Sequence, residues 1–382
     1  MITKQEIIVT DEMKKKVLFI NNSLGGGGAE RILIDILRSF NYEMFNVDLV
    51  LISGTGVYMK SIPPQVNYLG SVYDQETDIY DFGSVKDRFD EMKESMEIRR
   101  LVKGNYDTII SYLEGYAARY HHHILDKASN NVSWVHVDLL MNHWSRLCYV
   151  SSQQEAAVYA KMDKVVFVSK DILDAFRMLF HYNKENLMVI NNPIDKQRII
   201  RSAEEYNVEK EVFSFIAVGR FFRQKRYDRM MHAVKILHDR GCDFCLDILG
   251  AGELEPEIKE LTCRLGIEQV VRFHGFVRNP YPHIKKADVM LLSSDAEGFP
   301  TVICEAMTLG VPVIGTNVSG TRDLIGDSEY GMLTDLSPES FADAMYQLYM
   351  NAEKRSHYAA KSLERAKSFS FEKEMQRIFS IL

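Results

Sequence analysis

Glu297 and Glu305 stand eight positions apart in the stretch Ser294-Asp295-Ala296-Glu297-Gly298-Phe299-Pro300-Thr301-Val302-Ile303-Cys304-Glu305. Glu297 follows a short apolar run that reads as a strand, and Glu305 falls about one turn into the helix expected from Thr301. Both carboxylates are then expected to face one crevice from opposite sides of the helix start. A carboxylate accepts paired hydrogen bonds from neighbouring hydroxyls, so Glu305 suits a ribose and Glu297 a hexose. Gly298, Phe299, Pro300 and Thr301 form the helix start, where backbone N–H groups are unpaired and the dipole favours an anion.

A second cluster, Gly219-Arg220-Phe221-Phe222-Arg223-Gln224-Lys225-Arg226, gathers with Arg229 five basic residues within ten positions. Cations spaced around a loop can hold two phosphates from different sides. Arg220 and Lys225 are read as the working pair, and Arg223, Arg226 and Arg229 as solvent-facing. The third cluster is the run Gly25-Gly26-Gly27-Gly28 before Ala29-Glu30-Arg31. Glycines let a backbone approach a ligand closely, and Gly27 and Gly28 open a helix whose free N–H groups suit a diphosphate. The dinucleotide fingerprint G-x-G-x-x-G fails here, because its last glycine would fall on Glu30, and no G-x-x-x-x-G-K-[ST] occurs. Hydride transfer on a nicotinamide cofactor and P-loop hydrolysis are thereby disfavoured.

The elements that must position these loops are legible from apolar runs alternating with longer amphipathic stretches, the pattern of parallel sheets covered by helices. Strands are expected at 17–21, 45–51, 107–111, 132–136, 164–168 and 187–190, with helices at 29–40 and about 85–103. After a polar pause to Lys210 the alternation restarts, with strands at 213–218, 244–249, 270–274, 289–292 and 313–316. Helices are expected there at 228–240, 256–265, 301–309 and 338–350. The expected architecture is α/β, two doubly wound Rossmann-like domains facing each other across a cleft. Their bounds are 1–195 and 196–365, with a C-terminal helix, 366–382, packing back on the first. In such sheets ligands gather beyond the carboxyl ends of strands, where the three clusters lie.

Composition bounds the function. A chain of 382 residues is long enough for two cores. Its 46 basic and 53 acidic residues give a net charge of −7, which argues against nucleic acid as a partner. Residues 1–10 have no apolar core or cleavage site of a signal peptide, and no apolar run reaches the roughly 18–20 residues of a bilayer span. Five scattered cysteines fit a reducing, cytoplasmic setting. Cys242 and Cys245 form a lone C-x-x-C without a second pair, and the three consecutive histidines 121–123 would point apart on a helix, so no metal site is expected.

Glu297 to Glu305, with EGFP at its head and EAM at its end, resembles the E-x7-E signature of family 4 retaining glycosyltransferases of the GT-B fold. Gly27–Arg31 resembles that family's first-domain loop, Gly219-Arg220 with Lys225 its phosphate clamp, and Gly250-Ala251-Gly252 its second-domain turn. Phe273–Val277 resembles the loop that holds the base, and Gly310–Ile314 followed by Gly320-Thr321 fits as well. The resemblance spans nearly the whole second domain and is sparse in the first.

The resemblance implies that Glu305 holds the ribose and Glu297 the transferred sugar. Arg220 and Lys225, with the N–H groups of Gly27 and Gly28, would neutralise the diphosphate, and the backbone at Gly275 and Val277 would meet the base. His136, closing Trp134-Val135-His136-Val137-Asp138, resembles the family's histidine near the reacting sugar, and Glu114 is expected to line the cleft. Basic side chains stand in for a metal, so no cofactor is expected. The partners implied are a nucleotide-sugar donor, UDP favoured over GDP, and a glycan or lipid-linked acceptor, with peripheral membrane association possible. One departure is that the family often carries Lys-Gly where this chain has Lys225-Arg226, which makes the loop stiffer and more basic. Other GT-B enzymes (a nucleotide-sugar epimerase or a glycogen-type synthase) and a non-catalytic sugar-nucleotide-binding module remain alternatives.

Overall fold

The computed structural model describes residues 14–73 and 91–382. The beginning of the expected 85–103 helix and residues 1–13 lie outside the described residues. The chain divides into two compact units, one of residues 1–139, 143–190 and 376–382, the other of residues 140–142 and 191–375.

The first unit holds β1 (Lys15–Asn21), α1 (Gly28–Arg38), β2 (Phe45–Ser53), β3 (Asn67–Tyr73), α2 (Glu91–Leu101), β4 (Tyr106–Ser111) and α3 (Tyr116–His122). It continues through β5 (Ala128–Val135), α4 (Ser152–Ala160), β6 (Lys164–Phe167), α5 (Lys170–Phe180) and β7 (Leu187–Val189). Its seven strands form one sheet in the order β3-β2-β1-β4-β5-β6-β7, every pair parallel. A parallel sheet is covered on both faces, so its strands read as apolar runs, as Val17-Leu18-Phe19-Ile20 does, all buried. Phe379, near the C-terminus, stacks on Phe45 at 5.7 Å and meets Phe40 edge-on at 5.3 Å.

The second unit begins with α6 (Lys196–Ser202), then β8 (Phe213–Val218), α7 (Tyr227–Asp239), β9 (Phe244–Leu249), α8 (Glu255–Arg264), β10 (Val271–Gly275), α9 (Tyr281–Lys286) and β11 (Val289–Leu292). After these come α10 (Thr301–Thr308), β12 (Val313–Thr316), α11 (Ser319–Ile325), β13 (Met332–Thr334), α12 (Pro338–Met350), α13 (Ala352–Ala366) and α14 (Phe371–Phe379), whose end belongs to the first unit. Six parallel strands lie in the order β10-β9-β8-β11-β12-β13. The order puts β8 and β11 side by side, so the loops after them, 219–226 and 293–300, are neighbours at one sheet edge.

Two strands and one helix show how elements escape the alternation rule. β3 contains Gly70 at φ 116° and shifts register against β2, so no clean apolar run marks it. β13 is only three residues long. α6 lies within the expected polar pause, capped by Asp195, whose carboxylate accepts from Arg198 N at 2.9 Å. Among the described residues no helix is long and apolar enough to cross a membrane.

Candidate active site

The loops after β8, β9 and β10 are stitched together at the carboxyl edge of the second sheet. Gly219 N donates to Leu249 O at 3.0 Å, Phe221 N to Ala251 O at 3.1 Å, and Gly250 N to Gly275 O at 2.8 Å. Gly250 has φ 156°, and a β-carbon there would lie 1.9 Å from Gly219 O, so only glycine lets the two turns touch. Gly275 closes β10 at φ 67°, and Val277, two residues on, is half-buried.

The loops after β8 and β11 are joined more closely. Lys225 sits in a 3-10 turn, Arg223–Lys225, and its Nζ meets Glu297 Oε1 at 2.6 Å. Ser294 Oγ donates to the same oxygen at 2.5 Å. Gln224 Nε2 reaches Ala296 O at 2.5 Å, and Asp295 N donates to Gln224 O at 2.9 Å. The sequence pattern therefore finds two residues that the fold brings into direct contact. The serine and glutamine beside them carried no signal beyond their polarity.

Two arginines do not face solvent as expected. Arg229 is buried, with Nη1 on Ser293 O at 2.6 Å and Nη2 on Asp295 Oδ1 at 2.5 Å. Arg226 reaches Asp295 Oδ2 at 2.9 Å and takes Asp228 on its Nε at 2.9 Å. These carboxylates hold the Arg226 guanidinium further above its already high range, and Arg226 in return holds the Asp228 carboxyl below the usual carboxylate value. The physical reason is pairing with the loop after β11, whose Asp295 carboxylate and Ser293 carbonyl draw these guanidiniums in. Arg223 is exposed.

Arg220 stands apart from this network. Its guanidinium lies 4.0 Å from the centre of the Phe222 ring, and no carboxylate among the described residues pairs with it. A cation held on an aromatic face keeps its N–H groups for a ligand.

Glu297 and Glu305 are both buried. Glu305, in α10, receives Tyr281 Oη at 3.4 Å, which links it to α9 just beyond the Gly275–Val277 loop. Gly320 N donates to Glu297 O at 3.2 Å, and a β-carbon on Gly320 would sit 2.3 Å from Gly298 O. The N–H groups of Gly298 and Phe299 carry no hydrogen bond among the described residues. Pro300 caps α10 without a side-chain bond and Thr301 is its first residue, so this helix start presents donors where negative charge is favoured.

In the first unit, Gly27 is the N-cap of α1 with no side-chain bond and Gly28 is exposed. His136 is half-buried, its ring 4.7 Å from that of Tyr112. Burial pushes its imidazole down to about 3, so it is neutral at physiological pH, and its Nε2 has no partner among the described residues. Glu114 is buried rather than open to solvent, accepting from His136 N at 2.8 Å and Trp144 Nε1 at 3.0 Å. Burial raises its carboxyl to about 7. His121 is a core residue bonded to Ser111 and Asn131, while His123 meets Glu94. All five cysteines are free thiols.

Residues 196–365 match the family described as glycosyl transferases group 1. The chain is 29% identical over 369 residues to the N-acetylgalactosamine-N,N'-diacetylbacillosaminyl-diphospho-undecaprenol 4-alpha-N-acetylgalactosaminyltransferase of Campylobacter jejuni, covering 94% of this chain and 96% of that relative. Among solved structures, HepE of Anabaena in complex with UDP and glucose superposes with a TM-score of 0.73 at 20% identity, over 96% of this chain and 98% of that one. Sucrose-phosphate synthase of Thermosynechococcus elongatus gives 0.77 at 14% identity, over 96% and 98%. The two structural likenesses show the GT-B fold.

Proposed function

We propose that this GT-B glycosyltransferase, whose residues 196–365 belong to glycosyl transferases group 1, moves a hexosyl unit from a UDP-sugar to an acceptor hydroxyl with retention at the anomeric carbon. The observation that carries the reading is the Lys225–Glu297 contact at 2.6 Å, beside a helix start and an Arg220 guanidinium whose N–H groups have no hydrogen-bond partner among the described residues. That set combines cations for a diphosphate with a carboxylate for sugar hydroxyls in one stitched group of loops. The UDP bound in the HepE structure favours uridine as the base. The undecaprenol diphosphate in the relative's name favours a lipid-linked glycan as acceptor, with the chain working at a membrane's inner face.

In this reading Arg220 and Lys225 stabilise the diphosphate as negative charge develops on it, which makes them most effective in the transition state. Glu305 holds the ribose, Glu297 orients the sugar, and Gly298 and Phe299 supply backbone donors. Gly275 and Val277 border the base. The departing phosphate takes the acceptor proton, and no metal is required because side chains supply the positive charge.

The test is a thermal-shift screen of UDP- and GDP-sugars followed by turnover with the stabilising donor. A rise in melting temperature with UDP-sugars, activity that survives EDTA and an α-linked product from an α-linked donor are expected. Turnover of donor without any acceptor would point instead to an epimerase. Failure of every nucleotide sugar to stabilise the protein would end the proposal.

A further inference from the structure

We propose that Asp295 is a positioning residue of the donor site, clasped between Arg226 and Arg229 so that the loop bearing Glu297 is held against Lys225. The inference rests on the function proposed above and goes beyond it by naming the frame that sets the site's geometry.

Asp295 lies two residues before Glu297 and uses both carboxylate oxygens, Oδ1 toward Arg229 at 2.5 Å and Oδ2 toward Arg226 at 2.9 Å. The Arg229 side chain is only 4% exposed, so its charge depends on partners inside the protein. Among the described residues its hydrogen-bond partners are Asp295 and the Ser293 carbonyl, and both belong to the loop after β11. The Asp295 carboxylate itself is 40% exposed, so the cost of breaking the contact falls on the arginine, whose buried charge would be left uncompensated. The Asp295 N–H also donates to Gln224 O, next to Lys225. Both ends of the Lys225–Glu297 pair are therefore anchored through the same aspartate.

Arg226 forms the second arm of the clasp. It adopts φ 49°, ψ 48°, the left-handed region that glycine enters freely and other residues enter only against a steric clash of their β-carbon. The family pattern has glycine here, which fits that backbone. An arginine in the same conformation keeps the strain and adds what glycine lacks, a cation on Asp295 and Asp228. Ser293 Oγ further donates to the carbonyls of Lys225 and Arg226 at 2.8 and 3.0 Å, so the strained turn is tied to the opposing loop by backbone as well as side chain.

Two variants separate positioning from folding. Arg226→Gly removes the cation while relieving the left-handed strain, and Asp295→Asn keeps shape while removing charge. Each should lower kcat about tenfold, with the donor KM changed less, because loosened groups act chiefly in the transition state. The double variant should be little worse than Asp295→Asn alone, since the Arg226–Asp295 contact is weakened by either change. Arg226→Gly should melt no lower than the wild type. Independently of turnover, acetic anhydride labelling of Lys225 read by mass spectrometry should quicken about threefold in both variants as the lysine leaves Glu297. Lys259, on α8, serves as the unaffected reference. Unchanged labelling of Lys225 overturns the clasp, and faster labelling with wild-type kcat and KM overturns its role in the reaction. Faster labelling in a protein whose wild type turns over no nucleotide sugar upholds the clasp and removes the proposed function.

Discussion

Lys225 Nζ is 2.6 Å from Glu297 Oε1, an oxygen that Ser294 Oγ also contacts at 2.5 Å, although 72 positions separate the lysine from the glutamate. The pair holds a cation and an anion ready at one point, so a diphosphate and a sugar hydroxyl can each take one member. Lys225→Ala should lower kcat by about a hundredfold, as loss of one preorganised donor typically does, with a smaller change in donor KM. Steady-state kinetics decides this. Wild-type turnover in the variant would remove Lys225 from the clamp.

Glu305 is buried with Tyr281 Oη at 3.4 Å, and a carboxylate there is proposed to receive the ribose hydroxyls. Glu305→Ala should weaken UDP binding by roughly ten- to a hundredfold, the effect of losing charge-assisted hydrogen bonds. Calorimetric titration gives the number, and Tyr281→Phe should weaken binding far less. Unchanged affinity in Glu305→Ala would rule the ribose role out.

Glu114 ties His136 N and Trp144 Nε1 together from inside the first unit, and burial raises its carboxyl from 4.5 to about 7. A carboxyl with a raised folded-state value favours the folded state most below pH 4.5 and loses that contribution as pH climbs through about 7. Integrated over that window, the loss is on the order of 3 kcal/mol. Glu114→Gln cannot ionise, so the difference in melting temperature, variant minus wild type, should become more positive from pH 5 to pH 8. Parallel curves for the two proteins would show that Glu114 does not titrate in this range.

Gly320 meets Gly298 so closely that a β-carbon would be 2.6 Å from the Gly298 carbonyl carbon and 2.8 Å from Glu297 O. Gly320→Ala must push the glutamate loop aside and should cost about 1–3 kcal/mol of stability together with donor affinity. Gly104 has open space around it, so Gly104→Ala is the matched control. Equal melting temperatures for the two variants would mean that the loop yields without cost.

Both sheets were readable from alternating apolar runs because a strand buried on two faces leaves its mark within its own few residues. β8, β9, β11 and β12 fall where the runs predict them, whereas β3, interrupted by Gly70, and β13, three residues long, do not. The loops bearing Glu297, Arg220 and Lys225, and the helix start that carries Glu305, were likewise legible, since clustered charge and glycine beside a strand end are local signals.

By itself, then, the chain's order of residues determined which elements form and which loops carry charge. Only the tertiary structure decided that Lys225 meets Glu297, that Arg229 turns inward and that Arg226 spends its charge on Asp295 rather than on solvent. The physical reason is range. Periodicity and turn chemistry act over a few residues, but an ion pair between loops 219–226 and 293–300 depends on β8 and β11 being neighbours in the sheet, which no short window of sequence contains.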